Sequence, residues 1–89
     1  GENSVQIEVS ATPVERIEGR FDLVLANILA NKLVELAEAI AARVADRLVL
    51  AGVLEHQARE VTSAYELMGL ELANRRTSGE WVCLELVRS

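Results

Sequence analysis

The sequence predicts an α/β domain with a mostly parallel sheet closed by an antiparallel hairpin, on three observations. Helical periods alternate with short apolar runs through the middle of the chain. The run FDLVLAN is apolar almost throughout, as in a strand covered on both faces by helices. The end of the chain reads as two strands around a short loop containing glycine.

VQIEVS, residues 5–10, alternates Val5, Ile7 and Val9 against Gln6 and Glu8, the period of a half-buried strand. Residues 11–20 hold the only proline, Pro13, and end near Gly19, which marks a connection before the next strand, 21–27. From Ile28 to Val44 the period becomes helical. Leu29, Leu33, Leu36, Ala37, Ile40 and Val44 form one stripe, with Lys32, Glu35, Glu38 and Arg43 away from it. RLVLA, 47–51, is a further buried strand that Gly52 ends. A second helix is expected over 55–68, with Ala58, Val61, Tyr65 and Met68 inward and Gly69 as its stop. LELANRR and EWVCLELV then pair around Thr77-Ser78-Gly79.

Eighty-nine residues make one domain. At 51% hydrophobic and 3% aromatic, the chain has an aliphatic core. Charges break every apolar run, so a membrane-spanning helix is not expected, and GENSVQIEVS lacks the regions of a signal peptide. A net charge of −5, with Arg75-Arg76 the only adjacent basic pair, argues against direct nucleic-acid binding. Cys83 is the only cysteine, which excludes an internal disulfide and a multi-cysteine metal site and fits a cytoplasmic setting.

Ligands of a parallel sheet bind beyond the carboxyl ends of its strands. Asn27 and Gly52 occupy two such ends. Glycine permits close approach of backbone or ligand, and asparagine offers one acceptor and two donors. Spacing alone favours Asn27 as a helix N-cap, a role compatible with ligand binding. His56 lacks a nucleophile placed near it and reads as an exposed helix residue. Cys83, flanked by Val82 and Leu84, reads as a packed small side chain. Trp81 is either a packing anchor for the hairpin, the favoured reading, or part of a site wall. The pairs Glu35/Glu38 and Glu66/Glu71 have no metal-ligand pattern, and no metal site is expected. G-x-G-x-x-G does not occur.

Asn27-Ile28-Leu29-Ala30, then Ala51-Gly52-Val53-Leu54 with Gln57 after it, then Gly79-Glu80-Trp81-Val82 are weak signals singly and fairly specific in this order. Together, over about residues 5–88, they resemble the C-terminal part of the bacterial methyltransferases that modify ribosomal protein L11. Those are S-adenosylmethionine (SAM) enzymes of Rossmann type.

The resemblance implies a partial Rossmann-like methyltransferase fold and a protein amine as substrate of the parent enzyme. It implies that Asn27, with the Ile28 carbonyl, accepts the amine N–H bonds and aims the lone pair at the methyl group. Leu29, Gly52 and Trp81 would wall that site. It also implies SAM as cofactor of the parent, held on a glycine-rich loop that this chain lacks, which argues against SAM binding by the chain alone. The family's Pro-Gly-Gly turn before the 47–51 strand is here Val44-Ala45-Asp46. In the family's sheet order, 3-2-1-4-5-7-6, the chain starts just before the third strand, so FDLVLAN has a free edge. Either VQIEVS moves in beside it, or a second copy covers it as a homo-oligomer. The alternative to an enzyme fragment is an inactive remnant or scaffold that self-associates or binds a partner. A dehydrogenase half-domain is disfavoured by the closing hairpin.

Overall fold

The computed structural model describes residues 6–9 as backbone and residues 18–88 in full. Five strands form one sheet: β1 (Gln6–Val9), β2 (Phe21–Asn27), β3 (Val44–Leu54), β4 (Leu70–Ser78) and β5 (Trp81–Arg88), in the order β1-β2-β3-β5-β4. The pairs β1·β2 and β2·β3 are parallel, and β3·β5 and β4·β5 are antiparallel. The sheet is therefore mixed and not mostly parallel, because β5 inserts between β3 and β4 and contributes both antiparallel ladders.

VQIEVS takes the first of its two expected places. Residues 6–9 pair with Leu23–Ala26, so the edge of β2 is covered within the chain. Val5 and the connection around Pro13 lie outside the described residues.

Between β2 and β3 the chain is helical, but in two short pieces, α1 (Ala30–Glu35) and α2 (Ala37–Ala41), broken at Leu36 (φ −98°, ψ 15°). The expected single helix to Val44 is shorter at both ends. Leu29 precedes it and is 70% exposed, and Val44 is fully buried as the first residue of β3. Burial at a helical period does not distinguish the end of a helix from the start of the strand that follows it. Val44-Ala45-Asp46 form the beginning of β3.

Gly52 does not end β3. At φ +80° it sits in a register shift between Leu50 and Val53, and the strand continues to Leu54. This is the glycine-centred bulge that a positive φ permits. A 3-10 turn, Glu55–Gln57, leads into α3 (Ala58–Glu66). The Gln57 side-chain oxygen accepts the Leu54 N–H at 3.0 Å, which fixes the exit from β3. The helix expected to run to Met68 ends at Glu66, and Gly69 (φ +91°) lies in the turn that follows, donating to the Glu66 carbonyl at 3.1 Å. The hairpin loop is Gly79-Glu80, since Thr77 and Ser78 are still in the ladder opposite Val82 and Trp81.

One sheet face and the helices enclose the core. Val24, Ala26, Leu48, Leu50, Val53, Val82, Leu84 and Leu86 alternate inward and meet Leu33, Ile40, Val61 and Tyr65. Met68, expected inward, is exposed because the helix has already ended. On the other face Leu23, Leu25, Val49, Ala51 and Cys83 are half-buried, and no described helix covers them. FDLVLAN is thus apolar on both faces but helix-covered on one.

Tyr65 ties α3 to α1. Its buried hydroxyl donates to the Leu33 carbonyl at 2.8 Å, in the last turn of α1, where carbonyls have no intrahelical partner. Burial pushes its ionisation well above the ordinary value of 10.0. We expect Tyr65→Phe to cost about 1–2 kcal/mol in urea denaturation near neutral pH. Below pH 10 the tyrosine is protonated in both folded and unfolded chains. Above it only the unfolded tyrosine ionises, so wild-type stability falls as pH rises, and the Phe variant loses that component.

At the amino ends of the parallel strands, Arg88 gathers loose carbonyls. It donates to Val44 O at 2.9 Å, to Met68 O at 3.3 Å and to Ala41 O at the end of α2, while Arg20 reaches Val44 O at 3.0 Å. A cation at a helix C-terminus is favourable. Arg88→Ala is expected to lower stability by about 1.5–3 kcal/mol, read as a lower urea midpoint with an unchanged slope.

Candidate functional site at the strand ends

Three parallel strands finish at the same edge. Val9 is in register with Ala26, and Asn27 is in register with Ala51. Asn27, the last residue of β2, is exposed, and its carboxamide takes part in no hydrogen bond with a described residue. It is not the helix cap. That position belongs to Leu29, two residues on, in extended conformation and with no side-chain cap bond. Ile28 and Leu29 carry the chain past the strand end before the helix starts, which leaves Asn27 too far back for the cap role.

Gly52 brings the site together. A Cβ built on it would lie 3.0 Å from Asn27 Oδ1 and 3.6 Å from the Ile28 carbonyl oxygen. Two acceptors from adjacent residues of one strand end therefore converge on the bare α-carbon of the neighbouring strand. Ile28 is half-buried and packed against the core, which anchors the main chain that presents its carbonyl. The side chain of Leu29 stands in solvent beside it.

Trp81 lies further along the same edge, paired with Leu54 and 51% exposed. So exposed a ring is not the buried hairpin anchor that the sequence favoured. Next to it an open groove of about 510 Å³ is lined by Leu54, Glu55, His56, Gly79 and Glu80. The Glu55 N–H donates to the Glu80 carbonyl at 3.0 Å and joins the groove's two sides. Glu55 also pairs with Arg75 at 3.0 Å. Sequence reading left Glu80 without a role, and its only signal was its place between Gly79 and Trp81.

Of the remaining candidates only His56 lines that groove. His56 is exposed, and Cys83 is half-buried on the uncovered face. Glu35, Glu38, Glu66 and Glu71 are all exposed. Among the described residues no group of three or more His, Cys, Asp or Glu could hold a metal ion, and no helix is long and apolar enough to cross a membrane.

The family model described as Ribosomal protein L11 methyltransferase (PrmA) matches residues 1–89. The chain belongs to this family. A family member from Myxococcus xanthus is 56% identical over 82 residues, which cover 92% of this chain and 28% of that protein. One from Geotalea daltonii is 45% identical, covering 90% of this chain and 26% of the relative. The chain thus spans about a quarter of the length of these L11 methyltransferases. The fold agrees with a solved ribosomal protein L11 methylase from Lactobacillus delbrueckii subsp. bulgaricus. The TM-score is 0.79 at 23% identity, over 85% of this chain and 41% of that one. It also agrees with the magnesium protoporphyrin IX methyltransferase of Synechocystis solved with bound SAM. There the TM-score is 0.62 at 18% identity, over 90% of this chain and 45% of the other. The sheet is that of Rossmann-like methyltransferases.

Among the described glycines, Gly19, Gly52, Gly69 and Gly79 each serve an isolated turn or bulge. None belongs to a glycine-rich strand-to-helix turn of the kind that cradles a nucleotide.

Proposed function

We propose that this chain supplies the amine side of the active site of a SAM-dependent protein N-methyltransferase acting on ribosomal protein L11. In this reading residues 1–89 are the C-terminal portion of the catalytic domain, and the seat for SAM comes from the remainder of the protein. The convergence of Asn27 Oδ1 and the Ile28 carbonyl over Gly52 carries the proposal.

A lysine side chain is an ammonium at neutral pH, with an unperturbed pKa of about 10.4, and has no lone pair to donate. Once deprotonated it has two N–H donors and one lone pair. Two acceptors on one side of the nitrogen use both donors, and the lone pair is left pointing away from them in a fixed direction. The chain's own residues thus select the neutral amine by hydrogen-bond count and orient it, a contribution of entropy and aim. In this reading the exposed side chains of Leu29 and Trp81 wall the approach with apolar surface, and desolvation disfavours the charged amine. A carboxamide serves better here than a carboxylate, which would hold the substrate as an ammonium ion.

Mass spectrometry of L11 after incubation with SAM and the intact protein tests this reading. Mass gained in whole methylene steps on lysine or terminal amines supports it. Absence of transfer, or methyl found on oxygen or sulfur, contradicts it.

A further inference from the structure

The edge of β2 is covered by β1, but the sheet ends at its other side on an open strand. Among the described strands β4 pairs with β5 alone, and its residues 71–78 are all exposed. A free edge is a template for another chain, and charges normally blunt it. β4 carries charges of both signs, so the question is whether they can cancel across an axis.

The register with β5 assigns the faces. Glu71 lies opposite Val87, Asn74 opposite Glu85 and Arg76 opposite Cys83, all on the face that no described helix covers. Asn74 and Arg76 line a cavity of about 210 Å³ there with Val49, Cys83 and Glu85. Leu72 and Arg75, opposite Leu86 and Leu84, point to the helix side. The register shift between Leu72 and Asn74, a bulge at Ala73, is what puts Arg76 and not Arg75 on the face of Glu71. Glu71 and Arg76 have no hydrogen bond or ion pair with a described residue.

We propose that β4 pairs edge to edge with β4 of a second copy, antiparallel about a two-fold axis between Ala73 and Asn74. In that register Glu71 of each copy meets Arg76 of the other, which gives two ion pairs on one face. On the opposite face Leu72, 39% exposed, lies under the aliphatic stem of Arg75 from the other copy. The small side chain of Ala73 stands beside the axis. A slip of one residue sets opposite faces against each other, and a slip of two leaves Glu71 across from Asn74 or Ser78. Parallel in-register pairing sets like charges together. The backbone ladder supplies the affinity and the charges fix the register, since exposed ion pairs add little by themselves. The inference is independent of the amine-binding reading.

Sedimentation equilibrium of the intact protein tests it. The wild type is expected to show a monomer–dimer equilibrium. Glu71→Arg and Arg76→Glu each place two like-charge pairs in the dimer and are expected to weaken association about ten- to a hundredfold. Mixing the two single variants is expected to restore dimers, because each edge then meets the opposite charge. The double variant, Glu71→Arg with Arg76→Glu, is self-complementary again and is expected to dimerise alone. Both positions are exposed, and circular dichroism checks that each variant keeps the fold. A wild type that stays monomeric up to about 1 mM overturns the proposal. So does a dimer whose association the single reversals leave unchanged, or one that neither mixing nor the double reversal restores.

Discussion

On the proposed amine-binding role, Asn27→Ala in the intact protein is expected to reduce kcat for methyl transfer by about 10²- to 10³-fold with SAM affinity unchanged. Asn27 Oδ1 is one of two acceptors that meet beside Gly52, and on the proposed role its removal leaves the Ile28 carbonyl as the sole partner of the amine. A nitrogen held by one hydrogen bond rotates about it, so its lone pair loses direction. Little stability is at stake, because the carboxamide is exposed and caps no helix. The loss therefore appears in turnover and not in the melting temperature. Steady-state kinetics alongside calorimetry with SAM separates the two. A variant that binds SAM normally and turns over at the wild-type rate removes Asn27 from the site.

The largest effect on stability is expected from Leu84→Ala. Leu84 is fully buried on β5, an interior strand of the sheet, in register with Leu50 of β3 and Arg75 of β4. Its side chain faces the helices in a core that owes almost everything to aliphatic residues. Truncation removes transfer free energy and leaves a cavity that strands hydrogen-bonded on both edges close poorly, at a cost of about 2–5 kcal/mol. Domains of this size have about 5–15 kcal/mol in total. A urea midpoint lowered by a third or more is the expected result. A midpoint within error of the wild type would mean that β5 is not central to the core.

Much of this structure was legible in residue order. Alternation located β1, the apolar runs located β2 and β3, and Gly69 marked the turn that follows the second helical segment. What escaped sequence reading depended on partners distant in the chain. Gly52 is a strand breaker by local propensity, yet the ladder to β5 carries β3 through it as a bulge. The helical stripe ran on to Val44 because a buried valine looks the same at a helix end and a strand start. The apolar pattern of FDLVLAN did not tell a helix-covered face from an uncovered one. Trp81 was read as an anchor because large aromatics usually bury, whereas its pairing with Leu54 leaves it half in solvent at the sheet's edge. At the site, Asn27, Ile28 and Gly52 were each nameable, the roles of the first two by resemblance. Their meeting at 3.0 and 3.6 Å was not, since it depends on the β2·β3 register and the bulge together.

The pH–rate profile of Asn27→Asp in the intact enzyme tests most directly whether these oxygens hold a neutral amine. A carboxylate beside the substrate nitrogen favours its charged form and raises its pKa. The reactive amine then becomes available only at higher pH. The predicted result is a rising limb of kcat displaced to higher pH, with turnover near neutrality well below that of the wild type. A limb that coincides with the wild-type limb would show that the side chain at position 27 does not touch the amine.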